Sequence, residues 1–542
     1  MTLLVRPPEA VRGSSNINIL GRWLALALLS NASAFYIKKA TGIDFRMWQV
    51  TLVVFAFIAC MGLHLNGGNE VNRFRFLYSS IPAVLFAVYL WFVHVFGLFD
   101  IGAFLFHWQV GIGGFGLTSA QIHSALRYAG YCLLFIACLH YLAYYSPKLV
   151  LLDRLLVVPL LLASPIALSS MSNIYHLLQG NGEKLIGHYR EASDAWLPHE
   201  IQRKNLIIIY AESTERTFRE LKAGAAIFAD MDAVAAKGTD IIGVRQVTNT
   251  GWSIAGVVAS QCGIPLQPMG LFNHNNFEAV ESFLPGAVCL GDVLAPNGYK
   301  MGFISSSSLQ FAGSNIYLRQ HSYDAIWGRE SFVGEKADYP NVWGVNDDTM
   351  FDVAFDRIAS LRADGQPFAL SLQTIGGHFP EGFPTESCRA ELTYIDQPTI
   401  LYSIRCMGYE IRRFVERLDI AGYLNNTIVV IVSDHLSMKT AVWDEINQHD
   451  RMNYVAILGL DQKKEIQKSG TMVDVYPTIL EALGFRLPEH RAGIGTSLLS
   501  SIPTLAEKLG LEDFNAMIAN DNALSLKLWA GTETRERMAV MQ

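Results

Sequence analysis

Charge is scarce in this chain: Asp, Glu, Lys and Arg make up 17% of its 542 residues, and no extended basic run occurs. With a net charge of −7, a nucleic-acid partner is excluded for want of an electrostatic footprint, and the low charge content is far from a disordered composition. Cysteine is also sparse, at seven residues, and none has the spacing of a structural zinc finger. Long apolar runs are missing after residue 204. The segment TIVVIVSD (427–434) is apolar but short and β-branched, which reads as a buried strand. A single small module is excluded by length alone.

Apolar surface is abundant, at 51% of residues, and it is concentrated early. Five apolar stretches, near 17–37, 47–65, 76–99, 125–145 and 150–172, each approach the roughly 20 residues that cross a bilayer core. They predict a five-helix transmembrane domain over 1–172, a linker over 173–204, a catalytic domain over 205–500 and a tail over 501–542. Charge is split in the same way: 11 basic and 5 acidic residues precede position 172, and 31 basic and 44 acidic lie beyond it. Arg6, Arg12, Arg73, Arg75 and Lys148 place the amino terminus inside and the second part outside. Lys38, Lys39 and Arg46 vote the other way. A cleaved signal ending near Asn31-Ala-Ser-Ala is the alternative for residues 1–37, and it leaves the second part on the same side. The uncharged aromatic segment 104–116 suits a re-entrant or interfacial position.

Cys60, Cys132 and Cys138 fall in the apolar stretches, leaving Cys262, Cys289, Cys388 and Cys406 in the second part. An even set fits an oxidising compartment, and nearest-neighbour pairing, Cys262 with Cys289 and Cys388 with Cys406, is the expectation among three connectivities; four buried thiols are the alternative. From 205 onward, NLIIIY (205–210), KMGFIS (300–305), FALSLQT (368–374), TIVVIVS (427–433) and YVAILG (454–459) read as buried strands. Helical spacing occupies 407–419 and 473–484. This alternation predicts an α/β domain with a mostly parallel sheet covered on both faces.

In such sheets ligands sit beyond the carboxyl ends of strands, so the residues there matter most. After the first strand come Ala211-Glu212-Ser213, after the fourth Asp434-His435, and after the third a turn ending in His378. Two carboxylates and imidazole form a plausible set for a divalent cation with an open position.

These residues resemble the alkaline phosphatase and sulfatase superfamily, in its membrane-anchored phosphoglycerol transferase branch. The landmarks are NLIIIYAES (205–213), GWSIAGVVASQCGIP (251–265), WGVNDDTMFD (343–352), GGHFPEGF (376–383), IVSDH (431–435), VDVYPTILEALG (473–484) and GIGTSLL (493–499). The second is similar to the osmoregulated periplasmic glucan phosphoglycerol transferases, and five spans before an external domain resemble lipoteichoic acid synthase. The resemblance implies an N-terminal transmembrane bundle with a sulfatase-like α/β domain on the periplasmic side of a bacterial inner membrane. It implies one divalent ion, Mn2+, Mg2+ or Zn2+, held by Glu212, Asp434 and His435, with Ser253 as both fourth ligand and nucleophile. Thr248 and Thr250 are neighbouring alternatives, since many relatives carry threonine.

By the same resemblance, His378 serves as acid or base, and phosphoglycerol passes from phosphatidylglycerol to a periplasmic glucan through a covalent Ser intermediate. Arg451 is a candidate phosphate holder, with an ion pair to Asp450 or Glu445 as its alternative. Around 305–315, where relatives place His, Trp, Arg or Lys, this chain has Ser308, Ala312 and Ser314; Trp327 and Arg329 are nearby substitutes. The formylglycine signature Cys/Ser-x-Pro-x-Arg is missing around Ser253, which argues against sulfate-ester hydrolysis. Phosphoethanolamine transfer to lipid A, lipoteichoic-type polymerisation and a non-catalytic envelope scaffold are the rival readings.

Overall fold

The computed structural model describes residues 14–41, 51, 73–97, 119–145, 183–198, 201–222, 224–267, 282–332, 341–393, 399–521 and 523–530. Those before residue 173 form one compact unit and those after it another. The first unit holds helices Ser14–Thr41, Arg73–Phe96 and Ser119–Tyr145, which overlap three of the five expected spans. Their buried aromatics form a shared core in which the Tyr36 hydroxyl donates to the Tyr128 carbonyl at 3.0 Å. Among the described residues no helix is long and apolar enough to cross a membrane. The stretches 47–65, 104–116 and 150–172 lie outside them, Thr51 apart, so the five-span expectation is not carried by the structure.

The second unit is built on an eight-stranded sheet in the order β4-β3-β5-β1-β6-β7-β2-β8. The strands are β1 Asn205–Ala211, β2 Thr239–Arg245, β3 Lys300–Ser305, β4 Ala325–Trp327, β5 Phe368–Gln373, β6 Thr427–Ser433, β7 Val455–Leu458 and β8 Lys464–Thr471. All neighbouring pairs are parallel except those made by β7, which runs antiparallel to β6 and β2. Central β1 shows why its sequence is a continuous apolar run. Leu206, Ile208 and Tyr210 enter the core on one face, and Ile207, Ile209 and Ala211 enter the core on the other.

Five strands lie where the pattern predicted them, and β2, β4 and β8 are additions. Edge strand β8, KEIQKSGT, is mostly exposed or half-buried, so it carries no apolar run. The helix predicted at 407–419 runs from Thr399 to Ile420, and the one at 473–484 is Val475–Ala482 after a short 3-10 turn. Cys262 pairs with Cys289 and Cys388 with Cys406, closing separations of 27 and 18 residues.

Residues after 500 are not an appendage. Helices Leu505–Leu509, Leu511–Asn520 and Ala523–Trp529 bury Phe514, Ile518, Leu524 and Leu528 in the same core as one face of β1.

Candidate metal and nucleophile site

Because β1, β3, β5 and β6 are parallel neighbours, their carboxyl ends open at one edge of the sheet. Glu212 follows β1, and Asp434 and His435 follow β6. All three are buried, and one donor atom from each lies within 4.8 Å of the others. Backbone and side-chain bonds aim them. Asp434 Oδ1 accepts from the Ser213 N–H at 2.9 Å and the His435 N–H at 2.8 Å, whereas its Oδ2 is buried without a hydrogen-bond partner. Glu212 Oε1 accepts from the Ser213 hydroxyl at 2.8 Å. His435 Nδ1 donates to the Leu436 carbonyl at 2.8 Å, leaving the Nε2 lone pair 3.5 Å from Asp434 Oδ2 and 3.6 Å from Glu212 Oε1.

Oxygens of two carboxyl groups and an imidazole nitrogen therefore converge. Burial, followed by the neighbouring Asp434 carboxylate, pushes the Glu212 carboxyl well above the usual range. A cation would relieve both the burial and the repulsion. The residues thus fit the divalent ion that the resemblance implies, and the orphaned Asp434 Oδ2 is the observation that tests it. A second cluster, Cys289, Asp292 and His321, does not fit an ion, because Cys289 is in a disulfide.

Ser253 opens the ten-residue helix Ser253–Cys262, with its Oγ 3.5 Å from Glu212 Oε2 and 3.4 Å from His435 Nε2. The positive end of the helix dipole is thus at the hydroxyl, where it favours an anionic oxygen or phosphoryl group. The two threonine alternatives are engaged elsewhere: Thr250 Oγ1 donates to the Val247 carbonyl at 2.7 Å and Thr248 Oγ1 to Asn515 at 3.0 Å. The helix lies this close because position 256 is glycine. A Cβ there would stand 1.7 Å from the Asp434 carbonyl oxygen. Gly256→Ala is expected to lower stability by about 1–3 kcal/mol, read by denaturant unfolding, and to lower cation affinity with it. A wild-type midpoint and metal content would refute this packing account.

His378 lines the same cleft as Ser253 and Glu212. Its ring packs against Trp343, centroids 4.6 Å apart, and Nδ1 donates to the Phe379 carbonyl at 2.8 Å, so Nε2 is the acceptor. Burial lowers its pKa to about 4. The folded value is thus below the unfolded one of about 6.5, so its linked stability is complete above pH 6.5 and is lost as pH falls towards about 4. Histidine NMR titration is expected to find His378 neutral at pH 6, and the acid limb of kcat/KM that it controls should fall near pH 4. An inflection at 6.5 removed by His378→Gln would contradict the burial argument.

The other expected contacts lie elsewhere. Arg451 forks onto the fully buried Glu215, at 2.8 and 2.5 Å, and neither it, Trp327 nor Arg329 lines the cleft. The expected pairing with Asp450 or Glu445 is also replaced, because Asp450 is taken by Arg245. Trp327 lies beneath the Arg357 guanidinium, and Arg329 donates to the Val342 carbonyl at 3.2 Å. Ser308 and Ser314 do line the cleft, with Ser307, Gln373, Phe311 and Trp343. Among its described lining residues there is no Lys or Arg, and Glu212 is the sole carboxylate.

Two supporting residues carried no role in the sequence reading. Ser213, at φ 53°, bonds both metal-site carboxylates, and its signal was its place directly after Glu212. Asp347 accepts from the Ile375 and Gly376 N–H groups at 2.8 and 2.9 Å and from Ser306 Oγ at 3.2 Å, fixing the turn that carries His378. Burial raises its pKa to about 7.

The family model described as Sulfatase matches residues 204–485, which contain every residue of this cluster. The chain belongs to the sulfatase family. Phosphoglycerol transferase I of Salmonella agona is 34% identical over 319 residues, 58% of this chain and 41% of that protein. The chain thus spans well under half the length of the curated relative it matches. Among solved structures, lipoteichoic acid synthase LtaP from Listeria monocytogenes is 16% identical with TM-score 0.46, over 59% of this chain and 82% of that one. Lipooligosaccharide phosphoethanolamine transferase A from Neisseria meningitidis is 12% identical with TM-score 0.46, over 87% and 96% respectively. The formylglycine signature Cys/Ser-x-Pro-x-Arg is missing around Ser253, within the matched segment.

Proposed function

We propose that this protein transfers phosphoglycerol from phosphatidylglycerol to a periplasmic glucan, with Ser253 as nucleophile. The observation that carries the reading is the Ser253 hydroxyl, set at a helix N-terminus against Glu212 and His435. Glu212, Asp434 and His435 would hold a divalent ion, whose charge would favour ionisation of a nearby alcohol and offset charge on the phosphoryl oxygens. Ser253 Oγ attacks phosphorus, the bond to the diacylglycerol oxygen breaks, the Ser253 proton passes by way of His378 Nε2 to that departing oxygen, and phosphoglycerol stays esterified to Ser253. An acceptor hydroxyl then gives its proton to the neutral His378 Nε2 and displaces Ser253, whose oxygen takes that proton back as the hydroxyl. Asp347 keeps the His378 turn in place.

The cleft favours a glycerol headgroup over ethanolamine. Its hydroxyls and the Gln373 amide suit a neutral polyol, while an ammonium would find no carboxylate except the Glu212 of the metal cluster. The similarity to Phosphoglycerol transferase I supports the same choice. The apolar first third is the proposed anchor, holding the domain at the periplasmic face of a bacterial inner membrane, with 173–204 as linker and 205–500 as catalytic domain. Anchoring keeps the pocket near a donor whose phosphate never leaves the interface.

The test uses vesicles of headgroup-labelled phosphatidylglycerol, with phosphatidylethanolamine as competitor and a panel of purified glucans. Diacylglycerol release, acid-stable label on the protein and labelled glucan are expected from phosphatidylglycerol. Turnover without protein label would defeat the two-step route, and preference for phosphatidylethanolamine would move the activity to phosphoethanolamine transfer. A protein that binds no divalent ion and turns over neither lipid would be a scaffold.

A further inference from the structure

The helices after residue 504 lie beyond the family-matched segment, yet they reach both flanks of the nucleophile helix. Ahead of that helix, the loop is tied to itself and to the segments beside it. Thr250 Oγ1 bonds the Val247 N–H and carbonyl at 3.2 and 2.7 Å, and the Asn249 carbonyl accepts from the Leu266 N–H at 3.0 Å. Gln246 Oε1 takes the Leu436 N–H, next to His435, at 2.8 Å. Thr248 is different: its N–H and hydroxyl both donate to Asn515 Oδ1, at 2.7 and 3.0 Å, across 267 residues of chain.

Behind the helix, Gln267 is held from two sides. Its Nε2 donates to the Ile518 carbonyl at 2.6 Å and its carbonyl accepts from Trp529 Nε1 at 3.0 Å. The strap is itself anchored. Lys468 Nζ donates to the Ser500 and Ile502 carbonyls, both at 2.7 Å, and buried Asp521 accepts from the Ile186 N–H at 3.1 Å.

We propose that the C-terminal helices form a strap that fixes the nucleophile loop, and that Asn515 is a positioning residue for Ser253. The role in turnover rests on the reading of Ser253 as nucleophile; the mechanical part does not. Ser253 has two long contacts, at 3.4 and 3.5 Å, near the limit of hydrogen bonding, so its own bonds hold it weakly. Its position is inherited from the loop, and Asn515 is the contact that reaches Thr248 from outside. A misplacement of about 1 Å at a reacting atom can cost about 10²-fold in rate.

The experiment compares Asn515→Leu, which removes the acceptor at similar size, with Asn515→Asp, which keeps it, in the full chain. Amide hydrogen exchange over 246–253 is expected to rise about 3- to 10-fold in the leucine variant, the range one hydrogen bond controls. With phosphatidylglycerol vesicles kcat should fall about 10- to 100-fold with KM within about twofold, and bound metal should not change. The aspartate variant should recover most of both. Unchanged exchange, wild-type kcat in the leucine variant, or equal damage in the aspartate variant would overturn the proposal. Should the leucine variant fail to fold, Thr248→Val removes one donor alone; it must raise exchange in the same segment, and no change would be equally fatal. A wild-type protein without turnover would defeat the donor assignment, while the exchange comparison would still decide the strap.

Discussion

Ser253→Ala is expected to lower phosphatidylglycerol turnover by about 10⁴-fold or more and to abolish covalent labelling, while the domain stays folded and keeps its ion. The size of the effect comes from the loss of the reacting atom itself. The other three expected ligands survive the change, because Glu212 and Asp434 are aimed by Ser213 and backbone N–H groups rather than by Ser253. The Ser253 hydroxyl contributes two contacts at 3.4 and 3.5 Å, so its removal should leave the melting temperature nearly unchanged. Turnover within tenfold of wild type would sink the nucleophile assignment. Rescue by Thr248 or Thr250 is not expected, since both hydroxyls are held in the loop's own bonding.

Asp434→Asn should be nearly as damaging to activity, but through the ion. Oδ1 already accepts two backbone N–H groups, so the amide oxygen of asparagine takes that place and its NH2 group points where Oδ2 was. An amide nitrogen has no lone pair to offer a cation. Metal affinity should fall by at least about 10²-fold, the upper range for disturbing even an outer-shell partner. Stability moves in two directions. Ion-free wild type buries two carboxyl groups side by side, a repulsion that pushes the Glu212 carboxyl well above its usual range and destabilises the fold; the asparagine variant removes that repulsion.

Chelation should therefore lower the wild-type melting temperature, by an amount set by the lost binding of about 2.7 kcal/mol at a hundredfold excess of ion over its Kd. The variant should be insensitive to chelator and should melt above chelated wild type. Metal analysis with melting curves checks both. One tightly held equivalent of ion in the variant would show that Oδ2 is not a ligand.

Much of this site was legible before any tertiary contact was known, because its residues sit directly after apolar runs. β1 and β6 are buried on both faces, so their sequences are nearly unbroken Leu, Ile and Val, and the residues next in the chain must lie at the sheet's edge. β4 and β8 escaped the same reading: one is three residues long, and the other is an edge strand whose residues are mostly in reach of water. Arg451 shows the opposite error. A cation beside a strand suggests a phosphate contact, but its partner Glu215 lies 236 residues earlier, and only the fold brings the two together.

Residue type and order along the chain determined the α/β class, the central strands, the positions of Glu212, Asp434 and His435 at strand ends, and the serine at the head of its helix. Each is a local property: strand burial shows as composition, and a ligand shows as a polar residue where an apolar run stops. Which acceptor atoms remain free was decided by tertiary structure, since Asp434 Oδ2 is left over only after Ser213 and His435 have taken Oδ1. So were the lack of Lys and Arg among the described residues of the cleft, the withdrawal of Arg451 and the grip of Asn515 on Thr248. These depend on contacts between segments hundreds of residues apart, for which a linear pattern holds no signal.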